Sequence, residues 1–368
     1  MEDIKLIKGN EAVALGAIRG GCDGYFGYPI TPQSEVLETL MELRPWETTG
    51  MVVLQAESEV ASINMVYGGA ACGKRVMTSS SSPGVSLMTE GISYLAGAEL
   101  PCLIVNVQRG GPGLGTIQPS QSDYFQAVKG GGHGDYHMIV LAPASVQEMY
   151  DHVFDGFDLA FRYRVPVMML ADGIIGQMME KVVMTRQRPR WTAEEIAEMS
   201  DSWATTGKHS GRERNVATSL ELDSQVMEQR NERLQARYRQ IEEREVRFEE
   251  HGMDDAEYVM VAFGSSARIA SETMEMARRD GMKVGLLRPV TLWPFPSKRI
   301  AELAAAGVKG ILVPELNAGQ MVEDVRLAVQ GGSDKKIPVW HYGRLGGMVY
   351  SPDDIYSELK RRSDECAG

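Results

Sequence analysis

Short apolar runs alternate with helical patterns through the first half of this chain, and that alternation restricts it to few folds. Candidate strands are GYFGY (24–28), MVVLQ (51–55), RVMTS (75–79), CLIVNVQ (102–108), MIVLA (138–142) and VPVMMLAD (165–172). Between them lie amphipathic or small-residue helices such as SEVASINMVYGGAAC (58–72) and SVQEMYDHVFDGFDLAFRY (145–163). The latter follows a break at Pro143 and opens with Ser145 and Glu148 in capping-box spacing. Strands in alternation with helices predict a parallel sheet covered on both faces. Ligands of such sheets gather at the carboxyl ends of the strands.

A length of 368 residues is long for one domain, and a second α/β pattern follows the first. YVMVAFGSS (258–266), KVGLLRPV (283–290), GILVPE (310–315) and IPVWHYG (337–343) read as strands, and the helix SKRIAELAAAG (297–307) ends at a glycine, as C-caps often do. Residues 190–250 differ: they are polar, and Met227, Leu234, Ile241 and Phe248 fall seven apart, one apolar stripe down a long charged helix. That stripe fits either a short coiled-coil contact with a partner or a linker helix packed across both domains. The expected division is 1–189, a helical linker at 190–250, and 251–368.

A formal net charge of −12 argues against a nucleic-acid binder. Cys22, Cys72, Cys102 and Cys366 form no CxxC pair, so neither a zinc site nor an iron–sulfur motif is expected within this chain. The first three read as reduced core residues. With no signal peptide and no apolar run approaching ~18 residues, a soluble, cytoplasmic protein with no membrane contact is expected.

Several motifs carry chemistry. Tyr28 ends an apolar run and is followed by Pro29-Ile30-Thr31-Pro32, a stiff approach to the helix pattern PQSEVLETL. Thr31-Pro32 fits an N-cap and first helical position, but capping leaves Pro29 unexplained. Arg109, in VQRGGPGLG, follows a buried strand, where a guanidinium can grip a carboxylate bidentately or form a structural ion pair at a sheet edge. Glu59 lies at a strand-to-helix junction, either favouring the helix dipole or handling a proton in an apolar setting. TSSSSPGVSLM (78–88) places hydroxyls before a helix, fitting ordinary turn chemistry or a polar ligand. GGAACGKR (68–75) imitates a phosphate loop, but Arg75 stands where Ser or Thr should be, and the order runs from helix to strand. His133 and His137 lack metal-ligand partners at sensible spacing but would sit near the same loops.

GNEAVALGAIRGGCDGYFGYPITPQSE, QAESEVASINMVYGGA, TSSSSPGVSLMTEGISYLAGAELPCLIVNVQRGGPG and QSDYFQAVKGGGHGDYH resemble, in order, the α-type subunit of 2-oxoacid:ferredoxin oxidoreductases. GTIQPSQSDYFQAVKGGGHGDYH is most similar to the branched-chain type, which uses 2-oxoisovalerate (3-methyl-2-oxobutanoate). The resemblance implies a thiamine-diphosphate-enzyme pyrimidine-binding domain, a helical bridge and a transketolase C-terminal-like α/β domain. By it, Glu59 would meet N1′ of the cofactor's aminopyrimidine, favouring the tautomer whose 4′ nitrogen can take the thiazolium proton. Thr31 and Arg109 would hold the substrate near that carbon, Pro29 and Ser82 would flank the pyrimidine, and Arg344, in YGRLGG, would contribute to substrate choice from further out.

No GDG tripeptide with a downstream Asn occurs, so the diphosphate and magnesium signature of these enzymes is missing. The resemblance therefore implies half an active site. A β-type subunit would supply the diphosphate site with Mg, a ferredoxin-like chain would supply [4Fe-4S] clusters, and a further subunit is expected. The complex would convert 2-oxoacid, coenzyme A and oxidised ferredoxin to acyl-CoA, CO2 and reduced ferredoxin. Alternatives are the same chemistry on 2-oxoglutarate, pyruvate or an aryl pyruvate, or a non-catalytic binding module on the same fold.

Overall fold

The computed structural model describes residues 3–208, 212–332 and 336–367. The first half runs β1 (Ile4–Lys8), α1 (Gly9–Arg19), β2 (Gly24–Gly27), α2 (Ser34–Leu43), α3 (Pro45–Thr48), β3 (Val52–Gln55), α4 (Glu59–Ala71), β4 (Val76–Ser80), α5 (Ser82–Gly97) and β5 (Cys102–Gln108). It continues with α6 (Tyr124–Val128), β6 (Ile139–Leu141), α7 (Val146–Tyr163), β7 (Pro166–Asp172), α8 (Gly173–Gln177) and β8 (Met179–Val183). The bridge carries α9 (Ala193–Ser200) and α10 (Ser224–Arg244). The second half is β9 (Phe248–His251), β10 (Tyr258–Val261), α11 (Gly264–Arg279), β11 (Val284–Pro289), β12 (Thr291–Trp293), α12 (Ser297–Ala306), β13 (Gly310–Glu315), α13 (Met321–Gly332), β14 (Val339–Gly343) and α14 (Pro352–Ala367).

The seven-stranded sheet has the order β12-β6-β7-β5-β4-β2-β3, parallel except for β12. Its middle strands β5 and β7 are buried along their whole length, which their continuous apolar runs required. Neighbouring β2 and β4 lead onward in opposite directions, to β3 and to β5, so their carboxyl ends form the switch point of the sheet. α7 starts as its sequence predicted, with Ser145 Oγ accepting from Glu148 N–H at 3.1 Å. The Glu148 carboxylate, however, takes the N–H of Ala144 (2.7 Å), one residue before the cap.

The second sheet, β14-β13-β10-β11-β9, is parallel except for its edge strand β9. α12 ends at Gly307 with φ +90, a left-handed C-cap that glycine adopts without strain. Strand β12 leaves this half to pair antiparallel with β6, so the second half supplies an edge of the first sheet. A strand of three residues is too short for any periodicity to announce.

The bridge helix α10 buries Leu234, Tyr238 and Ile241, which join the core of the first half. Leu234 and Ile241 of its apolar stripe are therefore spent within the chain, while Met227 stays half-exposed. Phe248 departs from the expected stripe: the helix stops at Arg244, and Phe248 opens β9 with its side chain largely exposed. His137 stacks on Trp293 (4.6 Å between centroids), and Tyr238 meets both rings edge-on, tying bridge to β12.

Of the cysteines, Cys22 and Cys102 are buried, but Cys72 is exposed because it caps the end of α4, past that helix's buried stripe. GGAACGKR does run from helix to strand; Arg75 is buried there, over the Trp191 ring at 3.4 Å.

Candidate functional site

The loop after β2 is pinned by its carbonyls. Arg109 Nη1 donates to Thr31 O at 3.0 Å, while Asn10 Nδ2 (2.7 Å) and Gln177 Nε2 (2.8 Å) both donate to Pro32 O. Glu35 accepts from Asn10 (2.9 Å) and Gln177 (2.9 Å), which fixes the direction of both amides. Three elements, α1, α8 and the end of β5, thus grip two consecutive residues. Thr31 is not a helix cap: α2 begins at Ser34, with Gln33 as its N-cap. Gln33 is instead buried, bonded to Tyr28 O and to Ser79 Oγ. That leaves the Thr31 side chain exposed on a loop whose backbone is held. Pro29 is also exposed, in the same loop.

Glu59 is the first residue of α4, after Ser58, whose Oγ caps the helix by accepting from Ala61 N–H. Its side chain is buried at 6% exposure, with no hydrogen bond or ion pair among the described residues. Gly84, in the first turn of α5, passes so close that a Cβ there would lie 2.6 Å from Glu59 Oε1 and closer still to Ser80 Oγ. Thr78 Oγ1, Ser80 Oγ and Ser81 Oγ are buried without partners. Thr78 and Ser80 alternate along β4 and so face the same way. A buried carboxylate and unpaired hydroxyls around a glycine are donors and acceptors awaiting a polar ligand, and their hydrogen-bonding capacity fits an aminopyrimidine.

Arg109 follows the central strand of the seven and has no carboxylate partner among the described residues, so it is not an edge ion pair. Its Nη2 donates to Leu114 O (2.9 Å), its backbone N–H to Ser82 Oγ (3.0 Å), and its Nε is buried unpaired. Ser82 Oγ in turn donates to Asp123 Oδ2 at 2.6 Å, which also accepts from Asn106 Nδ2 at 3.0 Å. Burial pushes the Asp123 carboxyl above its usual range, against the lowering pull of these two bonds. Asp123 and Asn106 escape a sequence reading. The only signal was an Asn in the apolar run CLIVNVQ, where a buried amide demands a partner.

Beside this cluster a cavity of about 640 Å³ opens between the two halves. Ser82, Asp123 and Pro112 of the first half face Leu316, Ala318 and Leu345 of the second, and among the described residues no Lys or Arg lines it. Gln121, between the cavity-lining Ser120 and Ser122, stitches the halves together: its Nε2 donates to Phe263 O (2.9 Å) and its Oε1 accepts from Ser266 Oγ (2.6 Å). Neither His133 nor His137 lines it: His133 lies against Ser93 and Tyr94, and His137 is in the aromatic stack. Arg344 stands outside it, 4.0 Å from Asp354.

The family model for pyruvate flavodoxin/ferredoxin oxidoreductase, thiamine-diphosphate-binding, matches residues 15–248, and that for pyruvate:ferredoxin oxidoreductase core domain II matches 256–355. Ketoisovalerate oxidoreductase subunit VorB of Methanothermobacter thermautotrophicus is 50% identical over 357 residues, 97% of each chain. The structure of 2-oxoglutarate:ferredoxin oxidoreductase from Magnetococcus marinus matches with a TM-score of 0.83 and 30% identity; this chain is covered to 98% and spans 65% of that one. A split-gene transketolase shares the fold at TM-score 0.59 and 13% identity, over 96% of this chain and 97% of that one. A half matched by a thiamine-diphosphate-binding family model, a half matched by core domain II and a polar site at the switch point meet in one protein, and the chain belongs to the pyruvate flavodoxin/ferredoxin oxidoreductase family.

Proposed function

We propose that this chain is the α-type subunit of a thiamine-dependent complex that oxidatively decarboxylates 2-oxoisovalerate with coenzyme A, reducing ferredoxin. The observation that carries the substrate choice is the cavity beside Arg109 and Asp123: its walls include Pro112, Leu316, Ala318 and Leu345, and among the described residues no Lys or Arg lines them. A branched aliphatic tail suits such walls, whereas the second carboxylate of 2-oxoglutarate would be buried without a counter-charge. The 50% identity to a ketoisovalerate oxidoreductase subunit, against 34–38% to subunits of 2-oxoglutarate synthases, supports the same reading.

Thiamine diphosphate, when bound, supplies the carbon nucleophile and the electron sink for loss of CO2. Glu59 holds a proton at N1′ of the aminopyrimidine, a role open to a buried carboxyl with no protein partner among the described residues. Ser80 and Ser81 offer their unpaired hydroxyls to the same ring, with Pro29 and Ser82 flanking it. The Thr31 hydroxyl, on a loop fixed by three donors, meets the substrate carboxylate, and the Arg109 charge lies behind it. In this reading residues 1–189 form the pyrimidine domain, 190–250 the linker and 251–368 the transketolase-like domain.

Partner chains bring the diphosphate anchor with its Mg, and the [4Fe-4S] clusters. Exposed Leu114, Ile117, Leu345 and Met348, in the loops beside the cavity, supply apolar surface for such a chain to cover. No described helix is long and apolar enough to cross a membrane, in keeping with the cytoplasmic location we propose. The test is native purification with assay of thiamine diphosphate and iron, then a panel of 2-oxoacids with a viologen dye. The highest kcat/KM is expected with 2-oxoisovalerate; an equal or higher value with 2-oxoglutarate overturns the substrate. Isolation of the chain alone, free of cofactor and iron, would favour a binding module.

A further inference from the structure

At the opposite end of the first sheet from the catalytic groups, a second cavity of about 230 Å³ lies between the bridge and the turns that lead into β5 and β7. Arg164, Arg230 and Arg233 line it, together with Glu99, Trp203 and Asn215. Arg230 and Arg233 belong to α10, and at i and i+3, with Arg237 four residues on, they share one helix face. Arg164 sits over the Trp203 ring at 4.8 Å, its Nε donating to Glu99 O.

The charges there do not balance. Glu99 is taken by Arg237 (2.6 Å), and among the described residues Arg230 has only Glu221 at 3.8 Å and the carbonyl of Thr218 at 3.3 Å. Arg233 has no hydrogen bond or ion pair among the described residues, and Arg237 Nη1 is buried unpaired. The carboxyl ends of α5 and α7 also point here, each worth roughly half a negative charge. Among the described residues, four guanidiniums against two carboxylates and two helix ends leave about one positive charge over. Burial and neighbouring Arg237 hold Arg164 below the usual guanidinium range, despite Glu99, as crowded cations do.

We propose that this cavity binds a small oxyanion of the phosphate class, which clamps the bridge helix onto the first half. Its volume falls below the roughly 300–1,000 Å³ of ordinary ligand pockets, which suits a phosphate or a small phosphomonoester and not a nucleotide. Guanidiniums on different elements suit a tetrahedral anion that can bridge them.

The test is calorimetric titration of the full chain, and of the assembled complex, with inorganic phosphate at ionic strength held constant with chloride. Saturable binding and a rise in Tm beyond the chloride control are expected. Arg230→Gln/Arg233→Gln should weaken binding about tenfold or more, and Glu99→Gln should tighten it, a gain that misfolding cannot imitate. Titration with glycerol 3-phosphate separates the sources: tighter binding than phosphate identifies a phosphomonoester, and equal or weaker binding identifies free phosphate. No binding by the wild type, or unchanged affinity in the double arginine variant, overturns the proposal.

Discussion

Arg109 Nη1 donates to the carbonyl oxygen of Thr31 across 3.0 Å, joining the ends of two strands that are not neighbours in the sheet. The same guanidinium holds Leu114 O at 2.9 Å, so one planar fork fixes both the Thr31 loop and the glycine loop. Lysine keeps the charge but has no fork, and a single ammonium cannot take both carbonyls in this geometry. Arg109→Lys is expected to lower kcat/KM of the reconstituted complex by about 100-fold, the scale of a roughly 1 Å misplacement. Steady-state kinetics beside a thermal melt would check this; unchanged kinetics would remove Arg109 from substrate positioning.

Glu59 occupies the first helical position, where a carboxylate favours the dipole, and Gln can keep the shape without the proton chemistry. Glu59→Gln is expected to cut turnover by about 10²–10⁴-fold while the complex still assembles. Size-exclusion chromatography with parallel rate measurements distinguishes lost chemistry from lost assembly. Near-normal rates would take Glu59 out of the mechanism.

Gly84 has no room for a methyl group. Its Cβ would lie 2.6 Å from Glu59 Oε1 and 2.9 Å from Glu59 Cγ. Gly84→Ala should therefore displace the carboxylate, costing about 1–3 kcal/mol of stability as overpacking does. Activity should fall further than the melt alone accounts for. A variant with wild-type thiamine affinity and turnover would show that Glu59 has no fixed position to lose.

Asp123 gives a pH signature. Burial raises its carboxyl pKa in the folded chain, so the native state holds a proton that the unfolded state has released. Its contribution to stability is complete below the ordinary carboxylate range and is lost as pH rises through the raised value. Asn is a neutral match in shape and still accepts from Ser82 Oγ. The stability of Asp123→Asn relative to wild type should thus increase with pH across that window and then level off. Denaturant titrations from pH 4 upward measure the difference; a flat difference would mean Asp123 stays charged in the fold.

Local pattern was enough for much of this protein. Apolar runs set between helical periods foretold the parallel strands of both halves, because a strand buried on both faces, as β5 and β7 are, must be mostly apolar. Gly307 marked a helix end and Ser145 a helix start, because both effects act within one turn of backbone. Thr31, flanked by prolines, was legible as a stiff point near a strand end.

Only the tertiary structure decided the rest. Thr31 caps no helix, since α2 starts only at Ser34 with Gln33 at its N-cap position and the Gln33 side chain turned inward to Ser79. Phe248 continues no helical stripe, and β9 and β12 exist only because partner strands stand ready to receive them. Asp123, Ser82, Asn106 and Arg109 meet through hydrogen bonds spanning up to 41 residues of sequence. A hydrogen bond across such a span depends on how strands order and twist within the sheet. Periodicity records which side of an element faces the core, and it holds no trace of which distant residue will be waiting there.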